Sequence, residues 1–175
     1  MFEHLFKGGI CVAVAAAGFL AEPAHAAANC WNPTQVSAAK IRDLQSRLMV
    51  ATMRCRAMGI DVLPAYNDFV RTNRTTIQAA NSVLKARFAT GFAMRGQFEY
   101  DRFTTQLANA YGADATSADI CHETEVRARE AIAANGDADQ LLQIVERMGP
   151  TPMLPGGQCK VDFAQALQDF PQAAQ

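Results

Sequence analysis

The sequence of 175 residues lacks the motifs by which most small enzymes are recognised. It contains no G-x-S-x-G turn, no H-E-x-x-H helix, no glycine-rich phosphate loop and no C-x-x-C pair. Histidine is also scarce, because of the three in the chain only His122 lies beyond residue 25. These absences argue against the serine hydrolases, zinc peptidases, nucleotide-binding enzymes and thiol redox proteins that such motifs identify.

The sequence also lacks any run of roughly 20 apolar residues, the length that a membrane-spanning helix requires. Its longest apolar stretch, Gly8–Leu20, follows Lys7 and is too short to span a bilayer. The triplet Ala-His-Ala at 24–26 then provides a small-x-small cleavage site. We therefore predict a signal peptide over residues 1–26, with cleavage after Ala28 as the alternative, and a periplasmic or secreted protein without a transmembrane segment.

Cysteine is infrequent, but beyond the signal its number is even. Four cysteines in an exported chain favour two disulfides, with three possible connectivities, over four buried free thiols. Cys55 falls on the inner face of one predicted helix and Cys121 lies early in another, so a bond between them would join two core helices. Cys30 and Cys159 lie in irregular ends, and we predict that their bond ties the C-terminal segment to the body.

Strand signals are absent, since no stretch shows period-two alternation bounded by turn dipeptides. Helical periodicity is clear instead, beginning at Asn32-Pro33 and ending at Gly59. Four further helices are predicted between Asp61 and Gly91, Gly96 and Gly112, Thr116 and Asn135, and Asp137 and Gly149. The sequence thus predicts an all-α, single-domain bundle of about five helices over residues 27–149, stabilised by two disulfides. A Pro/Gly-rich loop and tail, tied by Cys159, follows over 150–175, with room for a last short helix around residues 161–167.

Charge is nearly balanced over the chain, with 16 basic and 17 acidic residues, but it is distributed unevenly. Residues 27–102 carry eleven basic against five acidic side chains, whereas residues 103–175 carry four against ten. The two halves could pack together and neutralise each other in part, which we favour. The alternative is a basic face for an anionic envelope component or an acidic protein partner. No nucleic-acid partner is expected.

Polar residues interrupt two apolar helix faces. Asn73 lies in the line of Phe69 and Ile77, and Asn109 lies in the stripe of the next helix. Because a buried amide needs hydrogen-bond partners, we predict that Asn73 anchors its helix to Asn109 and the backbone near it. Alternatively, these positions form a small polar pocket with arginines at its rim. The candidate binding residues are Asn67, Arg71, Asn73, Arg74, Asp101 and Asn109.

Metal binding is a weaker interpretation. Asp119, His122 and Glu125 recur at steps of three and could supply three ligands, but acidic residues are also common near a helix start. Three methionines between residues 49 and 58 could bind copper, although methionine at helical spacing usually fills a core. We predict no metal ion and no cofactor.

A further set of segments indicates a family. The sequence resembles an uncharacterised family of small exported helical proteobacterial proteins over roughly residues 30–121. The segments that carry the resemblance are Cys30-Trp-Asn-Pro, Ile41-Arg-Asp-Leu-Gln45, Leu48-Met-Val-Ala51, Arg54-Cys55, Tyr66-Asn-Asp-Phe-Val70 and Asp101-Arg-Phe-Thr-Thr-Gln-Leu-Ala-Asn109. The resemblance implies an exported helical domain in which Cys55 and Cys121 are regular features, and it implies no catalytic residue.

We therefore predict an exported, non-enzymatic binding or interaction module of the bacterial cell envelope, with an unknown ligand. The alternative is a small hydrolase of cell-wall polysaccharide that uses carboxylates. Glu99 and Asp101 lie together at the start of the third predicted helix, but residues i and i+2 of a helix point to different faces. A cleft with two carboxylates about 5–10 Å apart would favour the hydrolase, and a continuous basic or apolar surface would favour the binding module.

Overall fold

A computed structural model describes residues 30–149 and 153–160, and within these residues the architecture is all-α without a β-strand. The predicted signal peptide and a further short helix expected around residues 161–167 lie outside the described residues. Six helices are present in the described part: α1 (Pro33–Ala57), α2 (Leu63–Thr72), α3 (Arg74–Phe92), α4 (Gly96–Gly112), α5 (Ala118–Ala133) and α6 (Ala138–Arg147). A 3₁₀ turn, Ala93–Arg95, joins α3 to α4.

The 25-residue helix α1 is the centre of the bundle and packs against all five other helices. It begins where the sequence predicts, at Asn32, because a capping box satisfies its first backbone donors. The Asn32 side chain accepts from the Gln35 amide at 2.9 Å, and the Gln35 side chain accepts from the Asn32 amide at 3.1 Å. Its inner face enters the main core, whose fully buried members include Leu44, Leu48, Phe69, Leu84 and Leu141.

Both disulfides form with the predicted pairing. The bond between Cys55 and Cys121 joins α1 to α5, and both cysteines are completely buried in a small cluster with Val62. The bond between Cys30 and Cys159 ties the segment 153–160 to the stretch just before α1. The fold class and the cross-links are therefore those expected from the sequence.

One predicted helix is wrong, because the stretch between Asp61 and Gly91 forms two helices that meet at Asn73. Helix α2 packs mainly on α5, whereas α3 packs mainly on α1 and α4, so one straight helix could not reach both surfaces. Asn73 ends α2, and its side-chain amide donates to the Phe69 carbonyl at 3.0 Å. A short amide side chain that bonds the local backbone in this way favours a helix end over a helix interior.

The turn between α3 and α4 is tighter than predicted. Gly96 is the first residue of α4, and a Cβ there would lie 2.7 Å from the Ala89 Cα. The missing side chain therefore lets the backbones of α3 and α4 approach closely. This approach positions one wall of the candidate site.

Candidate functional site

An open groove of about 580 Å³ lies between the start of α1, the end of α3, the first part of α4 and the segment 153–160. Aromatic rings form its floor, and guanidinium groups lie along its rim. The lining residues that matter for its chemistry are Trp31, Arg87, Phe88, Phe92, Glu99, Arg102 and Phe103.

The floor is built around Trp31, the one tryptophan of the chain, which is 1% exposed. Its ring centroid lies 5.9 Å from that of Phe88 and 5.4 Å from that of Phe103. Its indole N–H donates to the Pro155 carbonyl at 2.8 Å, and its backbone exchanges hydrogen bonds with Gly157 and Cys159. The segment 153–160 is thus held beside the rings by hydrogen bonds as well as by the disulfide, so this wall is part of the fold.

Arg87 covers the indole of Trp31, with its guanidinium carbon 4.1 Å from the ring centroid. The same group donates to the Cys30 carbonyl at 3.1 Å and to the Gln35 side chain at 3.0 Å. Burial lowers the pKa of Arg87 from its ordinary value. A guanidinium nevertheless stays protonated at neutral pH, because its charge is delocalised over three nitrogens. Arg87 therefore brings a fixed positive charge to the aromatic floor.

A second cation, Arg102, lies opposite and is 57% exposed. Its Nε is 3.3 Å from the carboxylate of Glu99, which is almost buried, and Arg95 lies 3.3 Å from the other Glu99 oxygen. Glu99 is therefore shared between two guanidiniums and adds no uncompensated negative charge. The groove combines apolar rings with a net positive rim, an arrangement suited to an organic anion with an apolar portion.

A separate polar cluster consists of Asp43, Arg47 and Tyr111. Arg47 and Tyr111 also line a smaller cavity of about 310 Å³. Asp43 has no exposed surface and accepts a hydrogen bond from the Tyr111 hydroxyl at 2.5 Å. The Arg47 Nε lies 2.8 Å from the other Asp43 oxygen and donates to the Tyr111 oxygen at 2.7 Å. Burial raises the pKa of Asp43 despite these two partners, and burial with the adjacent carboxyl raises the pKa of Tyr111. The three side chains join α1 to α4.

We expect Asp43→Asn to change how stability depends on pH. Because the folded protein holds the pKa of Asp43 above its ordinary 3.8, the folded state binds the proton more tightly than the unfolded state. The wild-type free energy of unfolding should then contain a component that falls as pH rises from about 4, by up to about 1.4 kcal/mol per pH unit. Urea melts from pH 4 to pH 8 should show that Asp43→Asn removes this component. The exposed Asp101→Asn is the control, and equal slopes in both variants would contradict the assignment.

The binding residues predicted from the sequence are only partly brought together. Asn67, Arg71 and Arg74 line a shallow concavity of about 440 Å³ at the junction of α2 and α3. Asp101 and Asn109 are exposed on α4 and do not line it. A pocket rim that includes all of these residues is therefore not formed.

The partners predicted for Asn73 are wrong, although its burial is confirmed at 0% exposure. Its amide nitrogen donates to the Ala131 carbonyl of α5 at 2.8 Å, and its oxygen accepts from the Gly136 amide at 2.8 Å. Asn109 is exposed, because it lies on the side of α4 that faces away from the core. Asn73 therefore anchors the α2–α3 junction to α5 and the turn after it, instead of to α4.

The residues considered for metal binding and for carboxylate catalysis do not form a common site. Asp119 and His122 are exposed on α5, and no group of three or more His, Cys, Asp or Glu side chains in residues 30–149 and 153–160 is placed to hold a metal. Glu99 is buried whereas Asp101 is exposed, so the two carboxylates lie on different faces of α4, as expected.

Among the described residues, none of the helices has both the length and the apolar character that crossing a membrane requires.

Charge neutralisation between the two halves is limited. Among the described residues, the ion pair that joins the basic half to the acidic half is Lys40 with Glu146. The other described ion pairs lie within one half: Arg71–Asp68 and Arg102–Glu99 in the first, Arg129–Glu125 and Arg147–Glu130 in the second, among others. The exposed basic side chains of α3 and α4 in the described residues include Arg74, Lys85 and Arg102.

Sequence reasoning missed the groove residues Trp31, Arg87 and Arg102. The one local signal for the groove was that the single tryptophan directly follows a cysteine, because a disulfide would hold that tryptophan in a defined place. The contact of Arg87 with Trp31 joins distant parts of the chain and leaves no periodic pattern.

Comparisons of the chain with protein-family models, with curated proteins and with solved structures found no match.

Proposed function

We propose that this protein is an extracytoplasmic, non-enzymatic binding module that holds an organic anion in the groove above Trp31. The observation that carries the proposal is the pairing of an aromatic floor with two guanidinium groups, Arg87 and Arg102, at one open groove. Apolar walls with a few fixed charged groups are the usual composition of a small-molecule site. The chain would accordingly be a member of a small exported family, and its two disulfides are compatible with an oxidising compartment.

The charges support an anion over a cation. Arg102 carries the more exposed guanidinium of the groove, and Glu99 is already held between Arg95 and Arg102. An incoming carboxylate, sulfonate or phosphate would meet Arg102 at the rim while its apolar portion contacts Phe92 and Phe88. A cationic ligand would have to displace an arginine from Glu99.

The carboxylate hydrolase is less well supported. Glycoside hydrolysis requires an accessible acid and a second carboxylate on the other side of the substrate bond. Burial raises the pKa of Asp43, but this carboxyl group has no exposed surface. Glu99 is nearly buried and bracketed by guanidiniums. Neither Asp43 nor Glu99 is therefore placed to act as a free acid or base on a substrate.

The proposal is tested by titrating the protein with the dye anilinonaphthalene sulfonate and with its neutral parent, phenylnaphthylamine. Trp31 reports binding, because it is the single tryptophan and energy transfer to either dye quenches its emission. We expect Arg102→Gln to weaken binding of the sulfonate by about tenfold, the effect of one lost charge-assisted contact. Binding of the neutral dye should not change.

Arg74→Gln is the matched control, because Arg74 lines the concavity at the α2–α3 junction and not the groove. Identical sulfonate affinities for wild type, Arg102→Gln and Arg74→Gln would contradict the proposal. A loss confined to Arg74→Gln would instead place the site at the residues predicted from the sequence.

A further inference from the structure

Three large apolar side chains protrude where α3 turns into α4. Phe92 is 47% exposed, Phe98 is 59% exposed and Met94 is completely exposed. We call Phe92, Met94 and Phe98 the apolar corner. Single exposed apolar residues are common on soluble proteins, but three within seven residues on one sharp turn form a patch that water solvates poorly.

The surroundings of the apolar corner are basic and contain few carboxylates. No Asp or Glu occurs between Asp68 and Glu99, whereas this stretch holds Arg71, Arg74, Lys85, Arg87 and Arg95. Arg95 is 74% exposed and lies 5.9 Å from the Phe98 ring. Lys85 is exposed over the ring of Tyr100 at 5.6 Å. Lys85 and Arg95 are therefore the exposed cations that the described contacts place beside the corner, and Arg95 also pairs with Glu99.

The shape of the corner distinguishes between classes of partner. A stable protein interface buries about 800 Å² on each side, usually with a packed centre. A turn of seven residues is short for such an interface, and Met94 and Phe98 line none of the three cavities described above. An anionic lipid surface needs only a few apolar side chains that enter the headgroup region and cations that lie against the lipid phosphates.

We propose that the apolar corner docks the protein on the surface of an anionic phospholipid membrane. Met94 and Phe98 enter the interface, while Arg95 and Lys85 contact the headgroup phosphates. The inference goes beyond the groove proposal and does not depend on it, because Met94, Arg95 and Phe98 do not line the groove.

The test is co-sedimentation of the mature protein with vesicles. One set contains equal parts of phosphatidylglycerol and phosphatidylcholine, and the other contains phosphatidylcholine alone. We expect binding to the anionic vesicles, weakened by salt, and little binding to the neutral ones. Met94→Ser combined with Phe98→Ser should reduce the apparent affinity at least about tenfold. Arg95→Gln should reduce it by about fivefold.

The matched control is Met53→Ser, since Met53 is 56% exposed but lies near the opposite end of α1. It should bind the anionic vesicles as the wild type does. Equal binding to neutral vesicles, no binding to either set, or an equal loss in the control and the corner variants would overturn the proposal. A change of oligomeric state in the corner variants, measured by light scattering, would also overturn it and indicate a second copy of the chain as the partner. The dye titration of the groove should be unaffected in Met53→Ser and in the variant with both Met94→Ser and Phe98→Ser, because none of these three residues lines the groove or pairs with Glu99. A failure of the vesicle test would therefore leave the groove proposal to be decided by its own titration.

Discussion

Replacing Cys55 and Cys121 together with alanine is expected to lower the free energy of unfolding by about 4 kcal/mol. The bond closes a loop of 66 residues, so its loss restores conformational freedom to the unfolded chain. Both cysteines are fully buried where α1 meets α5, which means that the folded state cannot relax by releasing an exposed end. Urea denaturation of the oxidised proteins, followed by circular dichroism, measures the difference.

The double variant Cys30→Ala with Cys159→Ala is the comparison. Its loop is longer, with a sequence separation of 129 residues, and chain entropy alone would predict a slightly larger loss. We expect a smaller loss, because the segment 153–160 can detach from Trp31 and gain freedom while the helices stay folded. A larger effect for Cys30 and Cys159 than for Cys55 and Cys121 would show that the C-terminal segment is integral to the cooperative unit.

Asn73→Ala is expected to destabilise the protein by about 3 kcal/mol. The substitution removes the contacts with the Ala131 carbonyl and the Gly136 amide and leaves those buried or partly buried groups without the side chain that satisfies them. Thermal and urea melts give the loss, and Asn73→Asp provides a second reading. The aspartate keeps an acceptor for Gly136 but places a carboxylate beside the Ala131 carbonyl, so it should not restore stability.

The controls for Asn73 lie next to it in sequence. Arg71 and Arg74 are exposed, and Arg71 pairs with Asp68 on the surface of α2. Replacing either arginine with alanine should change stability by no more than about 0.5 kcal/mol. An Asn73→Ala protein as stable as these controls would mean that the α2–α3 junction is held by packing alone.

Local signals were sufficient for most helix boundaries. Asn32, Ser117 and Asp137 each accept hydrogen bonds from the first turn of the helix that follows, and such capping depends on residues within three positions. The boundary at Asn73 could not be recognised in this way. In the sequence, Asn73 is a polar residue within what reads as one continuous apolar helix face. Only the packing of α2 on α5 and of α3 on α1 shows that one helix ends and another begins there.

The candidate site was less predictable than the fold. The six binding residues chosen from the sequence share polar character within apolar stripes, yet the structure places Asn67, Arg71 and Arg74 on one concavity and Asp101 and Asn109 elsewhere. The groove depends on Trp31, Arg87 and Arg102, which belong to the start of α1, the end of α3 and the middle of α4. Periodicity describes which face a residue occupies on its own helix, but not which other helix that face meets.

The sequence by itself determined the helical class and the helix ends that carry a capping residue, and among three possible cysteine pairings it favoured the one that the structure shows. These properties follow from short-range backbone hydrogen bonding, from apolar periodicity and from the position of each cysteine on its element. Tertiary structure alone decided that Asn73 contacts α5, that Arg87 covers Trp31 and that Lys40 of the basic half pairs with Glu146 of the acidic half. Each of these depends on the relative placement of helices far apart in the chain, which is set by the joint packing of the core and leaves no pattern within any one helix.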